Sequence, residues 1–358
     1  MTHIDLKNST GPLIGILAGK GKNQSVIGNG PFFRELQREI IKNGGISVVF
    51  TPDDIKENTI AGVIYSPEDH NWTAVTCPIP HIVFNRVPTR KLESTDSFKN
   101  AFQFFQSRNI PFFNPGFLDK YSLFEILSQD PILQPFLPDT IKVADKESLF
   151  RFLERYKSIY LKPAQGAKGI GIHKLYLQKN HSVVQISLKD EITFQDALTF
   201  WKEWEQTLLK KTYIAQESIE PALFEGRRFD FRILVHFSEE GYHVTGAGIR
   251  QSRDQEITTH VLNGGCIVPY EDIQTEEHDR FFAMIADRAG KILSKETGFF
   301  GEFSIDAGLS ANGKYVIYEI NSKPMRFDEM AIEEKRIQTL SRLFLHMTKN
   351  EYLPDNNL

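Results

Sequence analysis

Near its C-terminus the chain carries two short strand-like runs, Gly301-Glu-Phe-Ser-Ile-Asp306 and Tyr315-Val-Ile-Tyr-Glu319-Ile-Asn321, separated by the turn residues Ser310-Ala-Asn-Gly313. Two such runs across a tight turn pair most simply as an antiparallel hairpin. Residues two apart in a strand share a face, so Glu319 and Asn321 point together. Pairing through the turn brings Asp306 to the same end. Three hard oxygen donors then meet at one spot. They suit Mg²⁺, which takes one or two carboxylates and completes its shell with water and substrate phosphates. A lone strand-end Asp is ordinarily just solvated. Glu319 and Asn321, however, lie inside a run that reads as buried, where a carboxylate needs a partner or a metal.

Composition sets outer limits. With 358 residues, 41% hydrophobic and 25% charged, the chain has material for two or three domains. A net charge of −4 supplies no basic face, which argues against nucleic acid as a partner. Cys77 and Cys266 have no metal-type spacing and make no disulfide framework. The polar start, Met1-Thr-His-Ile-Asp-Leu-Lys7, and the lack of any long apolar run imply neither secretion nor a membrane span. The expected location is cytoplasmic.

Along the chain, residues 1–115 alternate strand and helix, which predicts a parallel α/β sheet: strands at 13–18, 46–50, 61–65 and 81–86, helices at 32–43 and 93–107. The early glycines form no dinucleotide fingerprint. Residues 116–212 read as a second unit, with helices at 120–129, 146–156 and 195–209, strand 158–163, and a hairpin over 172–188. Residues 213–348 form a third unit of long alternating strands, a helix over 276–297, the hairpin above, and an amphipathic helix over 328–347. Residues 349–358 read as a frayed tail.

The loop Lys162-Pro-Ala-Gln165-Gly166-Ala-Lys168-Gly169-Ile-Gly171 joins two strands. Its glycines let backbone N–H groups approach a phosphate, and its lysines supply charge. It is not a P-loop, because no Gly-Lys-Ser/Thr follows; a plain hairpin turn is the alternative. Lys120 opens a helix and, alone, reads as a solvated lysine. Tyr213-Ile-Ala-Gln216-Glu217-Ser-Ile219 reads as an edge strand that could offer backbone groups to a base. In Arg228-Phe-Asp230-Phe-Arg232 the polar side chains share one face and the phenylalanines the other, so the polar face is either a groove lining or a set of surface ion pairs. Arg250 ends the next strand, and Asn263-Gly-Gly265 is a turn that could bring Asn263 near phosphates.

Taken in order, these segments resemble the ATP-grasp superfamily across roughly residues 116–326. Glu319 follows Asp306 by thirteen residues and Asn321 follows Glu319 by two, as that family's metal pattern has it. The whole chain looks more narrowly like the YheC/YheD family of endospore coat-associated ATP-grasp proteins. That likeness is carried by Pro78-Ile-Pro-His-Ile-Val-Phe-Asn85-Arg86, Phe113-Asn-Pro-Gly-Phe-Leu-Asp-Lys120, Leu137-Pro-Asp-Thr140, Tyr160-Leu-Lys-Pro163 and Glu319-Ile-Asn-Ser-Lys-Pro324. The resemblance implies an α/β (α+β) ATP-grasp fold behind an N-terminal parallel-sheet domain, with residues 116–212 as the lid and 213–348 as the large subdomain. It implies ATP and Mg²⁺ as cofactors. Lys120 and Lys162 would hold phosphates under the Gln165, Gly166 and Gly169 loop, with Asn263 nearby. Gln216, Glu217 and Ile219 would frame adenine, and Asp230 would lie by the ribose. Asp306, Glu319 and Asn321 would ligate the metal. Arg232 and Arg250 would face a small-molecule or peptide carboxylate acceptor. The implied reaction is carboxylate–amine or carboxylate–thiol ligation; a kinase on the same fold and a non-catalytic nucleotide-binding coat protein are the alternatives. A spore-coat association is implied on the same footing. The sequence departs from many amino-acid ligases of the superfamily where Glu302 and Ser304 stand in place of an arginine before the first metal Asp, and where Met325-Arg326 follows Pro324.

Overall fold

Strand-rich and helix-rich segments alternate along the chain and assemble into three large sheets. The structure, a computed structural model, describes residues 4–5, 11–23, 25–66, 70–166, 169–252 and 264–348. Among these, the first sheet has the spatial order Ile4–Asp5, Asn71–Pro78, Thr59–Ser66, Ile46–Phe50, Leu13–Leu17, Ile82–Asn85, Phe112–Phe113. It is mixed, not parallel as the sequence predicts. Leu13–Leu17 runs parallel to both its neighbours. Thr59–Ser66 instead folds back on Asn71–Pro78, in antiparallel register from Thr59 opposite Pro78 to Ser66 opposite Asn71. The cause is connection length: only residues 67–70 separate these strands, and a crossover to a parallel neighbour needs a dozen or more. The helix expected over 93–107 is also divided, into Arg90–Glu93 and Asp96–Gln106. Thr95 caps the second helix by accepting from the Phe98 N–H.

The second sheet is antiparallel, in the order Thr140–Lys142, Tyr213–Glu217, Ser158–Pro163, His173–Leu177, Val183–Ile186, Glu191–Phe194. Helices Lys146–Tyr156 and Ala197–Lys210 cover one face through Leu149, Phe152, Phe200 and Trp201. The other face carries Tyr160, Lys162, Lys174 and Gln216.

The third sheet runs Cys266–Val268, Gly241–Gln251, Arg227–Ser238, Glu302–Leu309, Tyr315–Asn321. Strict alternation divides its two faces. Phe229, Phe231, Ile233, Phe303 and Ile305 pack against the 22-residue helix Glu276–Thr297. Asp230, Arg232, His236, Glu302 and Asp306 lie on the opposite face. The closing helix Met330–Met347 leaves this sheet and joins the first unit: Ile337, Leu340 and Phe344 share a core with Leu36, Ile40, Phe84 and Phe113. No described helix is long and apolar enough to cross a membrane.

Candidate functional site

The hairpin foreseen at the C-terminal end forms, with a register detail that alternation alone does not supply. Asp306 lies opposite Glu319 and Ser304 opposite Asn321, but Ala307 lies opposite Ile317, so Tyr318 is one residue in excess. This bulge resets the phase of the strand. Ile317 stays in the core while both Tyr318 and Glu319 turn to the polar face. Asn321 donates from Nδ2 to Asp306 Oδ2 at 3.0 Å. Burial pushes the Asp306 carboxyl up to about 6, with Glu319 and Asp230 adding to the rise against Arg232 and Arg250. A carboxylate raised in this way is one that a nearby cation would relieve. Two carboxylates and an amide oxygen form a hard donor set that fits Mg²⁺. No group of three His, Cys, Asp or Glu side chains among the described residues offers an alternative metal site.

Lys120 is held at the edge of this trio. Its helix, Lys120–Ser128, starts at Asp119, whose Oδ1 accepts from the N–H groups of Tyr121 and Ser122. The Lys120 N–H donates to Ala164 O at 3.0 Å, which ties the helix start to the base of the glycine loop. Its ammonium pairs with Glu319. The side chain is 12% exposed, so it is not the solvated lysine that its sequence context suggests. Lys162 projects from the second sheet and donates to Gln216 Oε1 at 2.5 Å, and Gln216 Nε2 donates to Thr140 Oγ1 at 3.1 Å. Burial, and then the charge of Lys120, pull the Lys162 amine down to about 8. Between the two sheets lies an open cleft, with Lys120, Lys162 and Glu319 among its polar lining and Leu123, Leu127, Ile214 and Ile317 among its apolar lining.

The lowered Lys162 amine has a consequence for stability. Below pH 8 the ammonium is present in both folded and unfolded chains, and its burial cost is carried in full. From about pH 8 to 10 the folded chain sheds this proton first, so the unfolded chain binds more protons and stability rises with pH. Urea midpoints for wild type should therefore climb relative to Lys162→Met across this range. Parallel curves for the two proteins would contradict the assignment.

The segment Tyr213–Glu217 is not the edge that its sequence suggests. Thr140–Lys142 pairs on one side and Ser158–Pro163 on the other. The partner strand Thr140–Lys142 is only three residues long and follows the Pro138 break, so no periodicity announces it. The Glu217 N–H donates to Asp139 O at 2.9 Å, and burial raises the Glu217 carboxyl. Ser218 N–H donates to Ser158 O at 3.2 Å, leaving Ile219, half-buried, as the first residue past the ladder. In the glycine loop, Gln165 is exposed, Gly166 N–H donates to Pro163 O, and Gly169 adopts a φ of 72° that favours glycine. Lys168 and Asn263 lie outside the described residues.

Asp230 is buried and faces Arg228, with Nη2 to Oδ2 at 3.3 Å; Arg228 Nη1 also donates to Tyr160 Oη at 3.2 Å. Arg232 donates to Met325 O at 3.2 Å and stacks over the Phe327 ring. Arg250 makes a two-pronged contact with Glu329, at 2.5 and 3.0 Å, and a third contact with Asp328 at 3.3 Å. Both arginines thus face the loop that follows Asn321.

Sequence reasoning misses Glu329 and Asp328, and it leaves Glu302 unexplained. Glu302 is wholly buried two strand positions before Ser304 and accepts from Arg336 at 2.5 and 2.9 Å. Arg86 of the first unit approaches it at 3.4 Å, and so does His236 Nε2. Burial works against ionisation, but Arg336 foremost holds the Glu302 carboxyl well below the usual range. Arg86 and Arg336 also both donate to Pro324 O, at 3.2 and 3.1 Å. Arg86 belongs to the Asn85-Arg86 segment already singled out in the sequence; a charged Glu302 beside the core residues Phe303 and Ile305 was the other available signal.

The profile of the YheC/D-like ATP-grasp family matches residues 109–349. Endospore coat-associated protein YheD of Bacillus subtilis (strain 168) is 29% identical over 338 residues, covering 88% of this chain and 73% of that protein. Among solved structures, the ATP-grasp ligase PsnB with its minimal precursor aligns at a TM-score of 0.56 and 13% identity, over 94% of this chain and 99% of that one. D-alanyl-alanine synthetase A from Vibrio cholerae aligns at 0.55 and 12% identity, over 95% and 98%.

Proposed function

Because the chain belongs to the YheC/D-like ATP-grasp family, we propose that it is an ATP- and Mg²⁺-dependent ligase that activates a carboxylate as an acylphosphate for attack by an amine or thiol. The observation that carries this reading is the placing of Lys120 and Lys162 at one cleft whose wall includes Glu319, beside Asp306 and Asn321. A mostly apolar cleft with two ammonium groups at its polar end suits a purine and its phosphates. Asp306, Glu319 and Asn321 would hold Mg²⁺. Bound there, the metal would offset the negative charge of the phosphates.

The chain's own groups would supply position and charge. Lys120 and Lys162 hold the phosphates, with Gln165, Gly166 and Gly169 of the glycine loop beside them. Gln216, Glu217 and Ile219 line the base, and Asp230 the ribose. Arg232 and Arg250 orient the acceptor carboxylate. Its oxygen attacks the terminal phosphorus and ADP leaves. The nucleophile then attacks the acyl carbon and phosphate leaves, with the amine or thiol losing its proton. No covalent bond to the protein forms. PsnB is complexed with a precursor peptide and the Vibrio enzyme is named for a dipeptide product, so the acceptor class proposed is a small-molecule or peptide carboxylate. A spore-coat setting is proposed from the name of the YheD relative.

Hydroxylamine tests the reaction class. With Mg·ATP, an extract of sporulating cells and hydroxylamine, a ligase yields ADP and a hydroxamate, because hydroxylamine intercepts the acylphosphate. A stable phosphate ester without hydroxamate would assign the chain to kinase chemistry, and absence of ADP above a Glu319→Gln control would favour a non-catalytic role.

A further inference from the structure

Arg250 is 4% exposed, and its two terminal nitrogens are engaged by Glu329. Glu329 stands at the start of the Met330–Met347 helix, where an N-cap side chain ordinarily accepts from the helix's own N–H groups; this one makes no such bond. It reaches back to the sheet instead. The strand beneath is shaped for that reach: a Cβ on Gly248 would stand 2.1 Å from Glu329 Oε1. The carboxylate therefore lies in a seat that a side chain at 248 would fill. Neither Arg250 Nε nor Arg232 Nε has a hydrogen-bond partner among the described residues, although both are buried. Two guanidinium groups thus keep unused donors at one place on the polar face.

We propose that Glu329 is an internal stand-in for the acceptor carboxylate: it occupies the Arg250 fork over Gly248 and yields that position to an anionic substrate. This deepens the ligase reading and rests on it for the identity of the displacing group. Asp328 stays within 3.3 Å of Arg250 Nη2 throughout, and a buried guanidinium that loses a counter-charge is disfavoured, so Arg250 exchanges the Glu329 carboxylate for another. Rotation of the Glu329 side chain suffices. The backbone of the loop stays pinned at Pro324 O by Arg86 and Arg336, and at Phe327 N–H by Glu333 Oε2 at 3.0 Å. The exchange also selects by charge. A molecule without an anion cannot replace Glu329, and the fork favours a planar, two-oxygen group.

Site-resolved phenylglyoxal labelling, read by peptide mass spectrometry, tests this without nucleotide or turnover. In wild type, Arg250 should label slowly. In Glu329→Ala it should label about tenfold faster or more, because the fork is uncovered. Succinate should restore protection in that variant at concentrations that leave the wild-type rate unchanged. Arg336, wholly buried elsewhere, reports folding and must stay unlabelled. If it labels in Glu329→Ala, Glu329→Ser, which also vacates the seat but keeps a polar group at the helix start, carries the same comparison. An unreactive Arg250 in the folded variant, or failure of succinate to protect it there, overturns the proposal. Success here together with no hydroxamate would leave an anion seat standing and remove the ligase reading; hydroxamate with no succinate protection would do the reverse.

Discussion

Glu319→Gln is expected to cut ATP turnover by roughly a hundredfold or more while leaving thermal stability near wild type. The substitution keeps volume and hydrogen-bonding reach but removes one of two charges from the hard donor set. Glu319 also pairs with Lys120, so its loss disturbs both the metal position and a phosphate contact. Stability should hold because Glu319 lies on the polar face of the hairpin, while Ile317 and Ile320 carry its packing. ADP release at saturating Mg²⁺ measures the first effect and thermal melting the second. Electron paramagnetic resonance of Mn²⁺ with a non-hydrolysable ATP analogue supplies a binding readout that should weaken in parallel. Turnover that stays at the wild-type rate would remove the metal assignment.

Arg336→Met should be the most destabilising of the changes considered, at about 3–5 kcal/mol, because it leaves the carboxylates of Glu302 and Glu333 buried without their main partner. Arg336 is itself fully buried and touches Glu302, Glu333 and Pro324 O. Adding Glu302→Gln should recover part of the loss, since the cost lies in the uncompensated charge more than in lost attraction. Urea unfolding of the single and double variants measures both. A single variant within 1 kcal/mol of wild type, on the order of an ordinary surface change, would mean that the network contributes little.

Much of the third sheet was legible in the sequence because strict alternation leaves little freedom. Phe229, Phe231 and Ile233 had to face away from Asp230 and Arg232, and they do. The same holds for Glu319 and Asn321. What the sequence withheld were features set by short segments and by partners far along the chain. The three residues Thr140–Lys142 make Tyr213–Glu217 an interior strand, and no pattern of three residues is distinctive. The return strand Asn71–Pro78 makes the first sheet mixed; its β-branched, alternating composition was a usable signal. The bulge at Tyr318 is invisible to periodicity, since it is defined by the register of the opposite strand. Arg250 and Glu329 are separated by most of the third unit, and only the folded sheet brings the fork to its carboxylate.

The position of the closing helix alters what counts as a unit of this molecule. The family profile spans residues 109–349, yet the last helix in that span buries Ile337, Leu340 and Phe344 against side chains from residues 14 to 113. The border of the family profile and the border of the packed core therefore differ. A polypeptide begun at residue 109 would contain every proposed ligand and donor but would present the apolar stripe of that helix to water. It would also lack Arg86, one of the two hands on Pro324. The first hundred residues act as the missing half of a helix's core.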